Sequence, residues 1–107
     1  MQTQPHWNYF CILLNDVIEF SEERFLRITH AHPELTSGLM DDFEATIVYP
    51  DYVLLKNTKY KLIKKIFYNE KPRWICVVVD YDNVHNRLWI SNAYASAVGI
   101  VGEVIYG

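Results

Sequence analysis

From Tyr52 to the C-terminus the chain alternates side chains at the two-residue period of β-strands, in runs separated by short polar turns. The runs cover residues 52–56, 59–68, 73–80, 87–95 and 103–106 and are rich in β-branched and aromatic residues. Turns such as Asn69-Glu70-Lys71-Pro72 and residues 82–86 are too short for crossover helices, so neighbouring runs are expected to pair antiparallel. The stretch I-C-V-V-V, residues 75–79, is continuously apolar, which places that strand centrally with both faces at least partly covered. Half of the chain is thereby committed to a sheet.

The first half carries helical signals. Val17-Ile18-Glu19-Phe20 reads as a short strand, whereas the apolar run of residues 7–14 is too brief to classify. Ser21 is a plausible N-cap, with Glu22 and Glu23 in the first turn where the helix dipole favours acids. Phe25 and Ile28 mark one face of a helix running to about Thr29, and Arg24 and Arg27 share a neighbouring face. Pro33 disfavours helical geometry at His32 and suits the first position of a second helix. Leu35, Leu39, Phe43 and Ile47 then recur at spacing four, the apolar stripe of an amphipathic helix that stops before Tyr49-Pro50-Asp51. At 107 residues the expectation is one domain, residues 1–107. Its fold class is expected to be α+β, with N-terminal helices packed on one face of a four- to five-stranded antiparallel sheet.

Net charge is −3, which argues against a general nucleic-acid binder, but the charge is unevenly distributed. Residues 1–55 hold two bases against nine acids, a balance of −7, and residues 56–107 hold eight bases against four acids, a balance of +4. Seven of those bases lie between Lys56 and Arg73, a local surface able to attract phosphates or a strand kept soluble by its lysines. Cys11 and Cys76 sit among apolar neighbours without metal-ligand spacing, as expected of buried thiols in a reducing compartment. Nothing approaches the roughly 18 apolar residues of a membrane span. The N-terminal residues M-Q-T-Q-P-H-W-N lack the pattern of a signal peptide. A cytoplasmic protein without membrane association is the expectation.

Several segments, taken in order, carry a resemblance. They are a short strand, a helix ending in His32-Pro33-Glu34, an amphipathic helix ending in Pro50-Asp51, the basic aromatic strand K-Y-K-L-I-K-K-I-F-Y, the apolar V-V-V strand and the final I-S-N-A-Y. This order, over about residues 17–95, resembles the small RNase-like domains of the barnase, EndoU, colicin and RelE nuclease superfamily, particularly those of phage and mobile-element proteins. In such domains a H-P-E histidine follows the first helix and a strand ending in something like I-T-A-Y closes the meander. Here Asn92 stands where the family often shows Thr.

The resemblance implies a metal-independent, toxin-type endoribonuclease without a cofactor, which attacks phosphorus with the RNA 2′-OH and leaves a 2′,3′-cyclic phosphate. The implied catalytic residues are His32 as general acid or base, Lys61 and Lys65 as phosphorane-stabilising cations, and Tyr94 as hydrogen-bond donor or base-stacking ring. Lys59, Lys64, Arg87, Asn92 and Arg27 would bind RNA. The implied partners are RNA and an antitoxin or inhibitor protein. Read without the resemblance, His32 is better explained by capping the helix break, Tyr94 by strand preference and His30 by the dipole of a helix end; with it, catalysis and capping at His32 stand level. A zinc site on His30 and His32 lacks further ligands at suitable spacing. The alternative function is a catalytically degenerate RNA-binding or protein-interaction module on the same fold.

Overall fold

The computed structural model describes residues 6–107; the reading of the first residues as carrying no leader falls partly outside this range. In chain order the elements are β1 His6–Cys11, β2 Asp16–Ser21, α1 Glu22–Ala31, a 3-10 turn Pro33–Leu35, α2 Met40–Val48, β3 Tyr52–Lys56, β4 Lys59–Tyr68, β5 Lys71–Asp82, β6 Arg87–Ser96 and β7 Glu103–Tyr106. The strands form one seven-stranded sheet in the order β1-β2-β6-β5-β4-β3-β7. It is curled into a half-barrel.

This overturns the expected four- to five-stranded antiparallel sheet with helices on one face. The sheet is mixed: β2 runs parallel to β6 through Ile18↔Leu88 and Glu19↔Trp89, while the remaining pairs are antiparallel. Residues 7–14, unclassifiable alone, supply β1, which pairs with β2 from His6↔Ser21 to Cys11↔Asp16. This hairpin lengthens the sheet at one edge. At the other edge β7 pairs with β3 rather than with β6, which precedes it in the chain. Both additions join segments distant in sequence, so no local period announces them.

The sheet buries both faces, with different partners. On one face Ile18, Leu62, Val77, Val79, Ile90 and Ala93 meet Ile28, Leu35, Leu39, Phe43 and Ile47 in the main core. Burying each large apolar side chain there contributes about 1.5–3 kcal/mol. On the other face Leu54, Ile63, Cys76 and Val78 form a smaller cluster, with Trp74, Tyr94 and Ile100 against it. Ile100 belongs to the strap of residues 97–102, which carries the chain from β6 across to β7. The strap lies so close that a Cβ at Gly102 would come within 3.3 Å of Leu54 Cδ1.

Ser21 caps α1, its Oγ accepting from the Arg24 N–H at 3.2 Å. The helix expected to start directly after Pro33 is instead a 3-10 turn, and α2 begins only at Met40. Gly38 between them has φ +97°, a left-handed conformation, and a Cβ there would sit 3.3 Å from the Tyr68 hydroxyl. The residues at spacing four are nonetheless all buried: Leu35, Leu39, Phe43 and Ile47.

Two hairpins close with two-residue turns, Asn57-Thr58 and Asn69-Glu70, all four residues at positive φ. Such turns match strand twist but favour glycine at the second position. Glu70, at φ +65°, carries a left-handed cost of about 1–2 kcal/mol that glycine avoids. Glu70→Gly is therefore expected to stabilise the protein by about 1 kcal/mol, raising the thermal midpoint in a circular-dichroism melt by about 4–8 °C.

Candidate functional site

The site begins with an irregularity in β6. Val78 pairs with Asn92 but its neighbour Val79 pairs with Ile90, so Ser91 is an extra residue, a β-bulge. Strict alternation would put Leu88, Ile90, Asn92 and Tyr94 on one side and Trp89 on the other. The bulge exchanges the faces: Leu88 and Ile90 enter the main core with Ala93, while Trp89 joins Asn92 and Tyr94 on the opposite side. Two aromatic rings and an amide thereby line the same face.

That face holds a groove of about 680 Å³. One wall is α1, which contributes Arg24 and Arg27; the β3–β4 hairpin contributes Lys56, Lys59 and Lys61. Asp80 is the one carboxylate among the described lining residues, so five bases face one acid. Lys59 Nζ lies 3.1 Å from Asp80, and Arg27 is held by Glu23 at 3.0 Å, one helical turn back. The Arg24 guanidinium lies over the Trp89 ring at 5.4 Å. Asn92 is exposed, and its Oδ1 accepts from the Ala93 N–H at 2.9 Å. Concentrated positive charge in a concavity focuses potential and favours an anionic ligand.

His32 closes α1 and opens the 3-10 turn, its N–H donating to the Ile28 carbonyl at 2.8 Å. Its ring stands 6.1 Å from that of Tyr94, centroid to centroid. Pro33 folds the chain back so that Glu34 Oε1 comes 3.5 Å from His32 Nδ1, an arrangement that orients the imidazole. Tyr94 lies directly opposite Cys76 across the β5–β6 ladder, and it packs against the smaller cluster that holds Cys76. Burial, then the hydrogen bond and charge of Cys76, push the Tyr94 phenol up to about 12, so it remains a proton donor at neutral pH. Burial likewise raises the Cys76 thiol, against the lowering effects of Tyr94 and Lys61.

Of the residues singled out in the sequence, Arg27, Lys59, Lys61, Asn92 and Tyr94 line the groove, and His32 abuts it through Tyr94. Three lie elsewhere. Lys65 is not among the lining residues; it leans over Trp74 and Phe67 at 5.3 and 5.7 Å. Lys64 projects on the other face of β4 and ties down the α2–β3 turn, bonded to the Tyr49 carbonyl at 3.0 Å and Asp51 at 3.3 Å. Arg87 is paired with Glu19 and Asp82, at 3.7 and 3.4 Å, outside the groove. Sequence reasoning missed Arg24, Lys56, Trp89 and Glu34. The shared helix face of Arg24 and Arg27 was the available signal for the first; Trp89 depends on the bulge. His30 is not part of the groove lining, and among the described residues no group of three or more His, Cys, Asp or Glu could hold a metal ion.

Among the described residues no helix is long and apolar enough to cross a membrane. Comparison with protein-family models, curated proteins and solved structures finds no match to this chain.

The raised thiol and phenol set an alkaline limit. A group whose folded pKa lies above its unfolded value contributes stability fully present below the unfolded value and lost as pH rises through the folded one. For Tyr94 that window runs from 10.0 to about 12, and for Cys76 it opens at 9.0. The urea midpoint is expected to fall steadily as pH rises above 9.0, and less steeply above 10.0 in Tyr94→Phe.

Proposed function

We propose that the groove binds RNA and that the protein is a metal-independent endoribonuclease. The observation that carries this reading is the meeting, on one face, of bases from α1 and the β3–β4 hairpin with the His32–Tyr94 ring pair. Arg27 and Lys61 hold the phosphate, and Trp89 and Tyr94 offer rings to unstacked bases. His32 takes the proton from the RNA 2′-OH, whose oxygen attacks the adjacent phosphorus. The negative charge that builds on the equatorial oxygens is met by Lys61 and the Asn92 NH₂. The bond from phosphorus to the 5′-oxygen breaks, and that oxygen leaves with a proton from the Tyr94 phenol. The products are a 2′,3′-cyclic phosphate and a 5′-hydroxyl end.

Purified protein incubated with single-stranded RNA in EDTA is expected to yield those two ends, and RNA with a 2′-deoxy scissile position is expected to resist. His32→Ala and Tyr94→Phe are each expected to slow cleavage by about 10²-fold or more. Cleavage that survives His32→Ala unchanged removes the mechanism. Lys64→Ala and Arg87→Ala, away from the groove, are expected to leave the rate near that of the parent.

A second reading is a binding module without turnover. It is favoured by the engagement of two of the five bases, Arg27 with Glu23 and Lys59 with Asp80, and by the separation of His32 from the groove lining by Tyr94. With three to five phosphates neutralised, log affinity for single-stranded RNA is expected to fall against log salt with a slope of about −2 to about −3.5. Binding with that slope and no cleavage selects this reading. Absence of both leaves the groove to an acidic protein partner, such as an antitoxin or inhibitor.

A further inference from the structure

A second cavity, of about 160 Å³, lies on the helix side of the sheet. Its floor is Phe20 and Phe43, both buried; Trp7 from β1 and Phe25 from α1 stand beside them, with Tyr9 and Glu44 also at the lining. Trp7 pairs directly with Phe20 across the β1–β2 ladder, so both rings point to the same face. The rings of Trp7, Phe20 and Phe25 meet pairwise at 63°, 72° and 75°, with centroids 6.1, 5.5 and 5.8 Å apart.

Each pair packs edge to face, and the cavity opens beside this aromatic cluster. A compact cation seated there has aromatic rings within the roughly 6 Å reach of a cation–π contact. The cavity is too small for a nucleoside but accommodates a compact head group. No basic side chain is among its described lining residues, and Glu44 places a carboxylate on it. That charge is felt at the wall, where Glu44 adds to burial in raising the Tyr9 phenol. Aromatic faces alone would welcome any small apolar group; the Glu44 carboxylate favours a positive one. A primary ammonium is compact and strongly hydrated, and desolvating it against rings is costly. Methyl groups spread the charge over apolar surface and suit an aromatic lining.

We propose that this cavity is a binding site for an alkylated ammonium group, independent of the basic groove. A free quaternary ammonium and a methylated lysine of a peptide share this chemistry.

The test is a titration of the full chain by NMR, following Trp7, Tyr9 and Phe25 with choline, with tetramethylammonium, and with 3,3-dimethylbutanol, the uncharged carbon counterpart of choline. Saturable shifts at these residues are expected for both cations, with affinity for the alcohol weaker by about tenfold or more. Glu44→Gln, at an exposed position and so compatible with folding, is expected to weaken choline binding by about tenfold while leaving the alcohol unchanged. Trp7→Phe keeps an aromatic wall and is expected to bind more weakly than the parent but measurably. A trimethyl-lysine peptide that binds more tightly than choline assigns the site to a modified protein; the reverse order assigns it to a small molecule. No saturable shift, or equal affinity for choline and the alcohol in parent and Glu44→Gln alike, overturns the proposal and leaves an ordinary packing void.

Discussion

Two residue pairs hold this architecture in its particular form. Ile18↔Leu88 and Glu19↔Trp89 join β2 to β6 in parallel, across some 70 residues of chain. Beyond Ser21, whose side chain caps the helix, β2 gives way to α1, and α1 packs along β6. The helix then presents Phe25 and Ile28 to the main core while Arg24 and Arg27 reach the groove. Its end delivers His32 to Tyr94. A hairpin attached elsewhere would leave β6 with a bare edge and the basic groove with one wall.

The bulge at Ser91 works with that pairing. A strand buried on one face ordinarily keeps a single set of residues in the core from end to end. Here the extra residue lets both halves of β6 bury apolar side chains on the same face, Leu88 and Ile90 before it, Ala93 after it. The remaining residues, Trp89, Asn92 and Tyr94, are gathered on the other face. Bulges recur where a side chain must be re-aimed near a site, and this one supplies the groove's aromatic and amide floor.

Charge is sorted by the same geometry. The acidic first half builds β1, β2 and the helices, yet Arg24 and Arg27 of α1 line one groove with Lys56, Lys59 and Lys61 of the β3–β4 hairpin. One cavity offers an aromatic lining beside a carboxylate, and the other a basic concavity beside an imidazole and a phenol. α1 alone contributes to both, through Phe25 on one face and Arg24 and Arg27 on another. The two cavities share no lining residue among those described.

Local chemistry sufficed for the strands β3, β4 and β7, whose bounds follow from alternation and turn residues. It also sufficed for the Ser21 cap and for the buried stripe of Leu35, Leu39, Phe43 and Ile47. Lys59, Lys61, Asn92 and Tyr94 are singled out through the resemblance, and the fold brings them to one groove. Alternation already sets Lys64 on the opposite face of β4 from Lys61, whereas only the fold set apart Lys65, by its aromatic neighbours, and Arg87, by its ion pairs. The parallel attachment of β2 and the bulge at Ser91 arise from contacts between distant segments. Their free energy comes from burying apolar faces that meet only when the sheet has closed. The sequence by itself determined which residues are apolar, charged and turn-forming, because these are properties of short stretches. Tertiary packing alone decided which side of the sheet Leu88, Trp89 and Ile90 take relative to Asn92 and Tyr94, because one extra residue at Ser91 exchanges the faces before it.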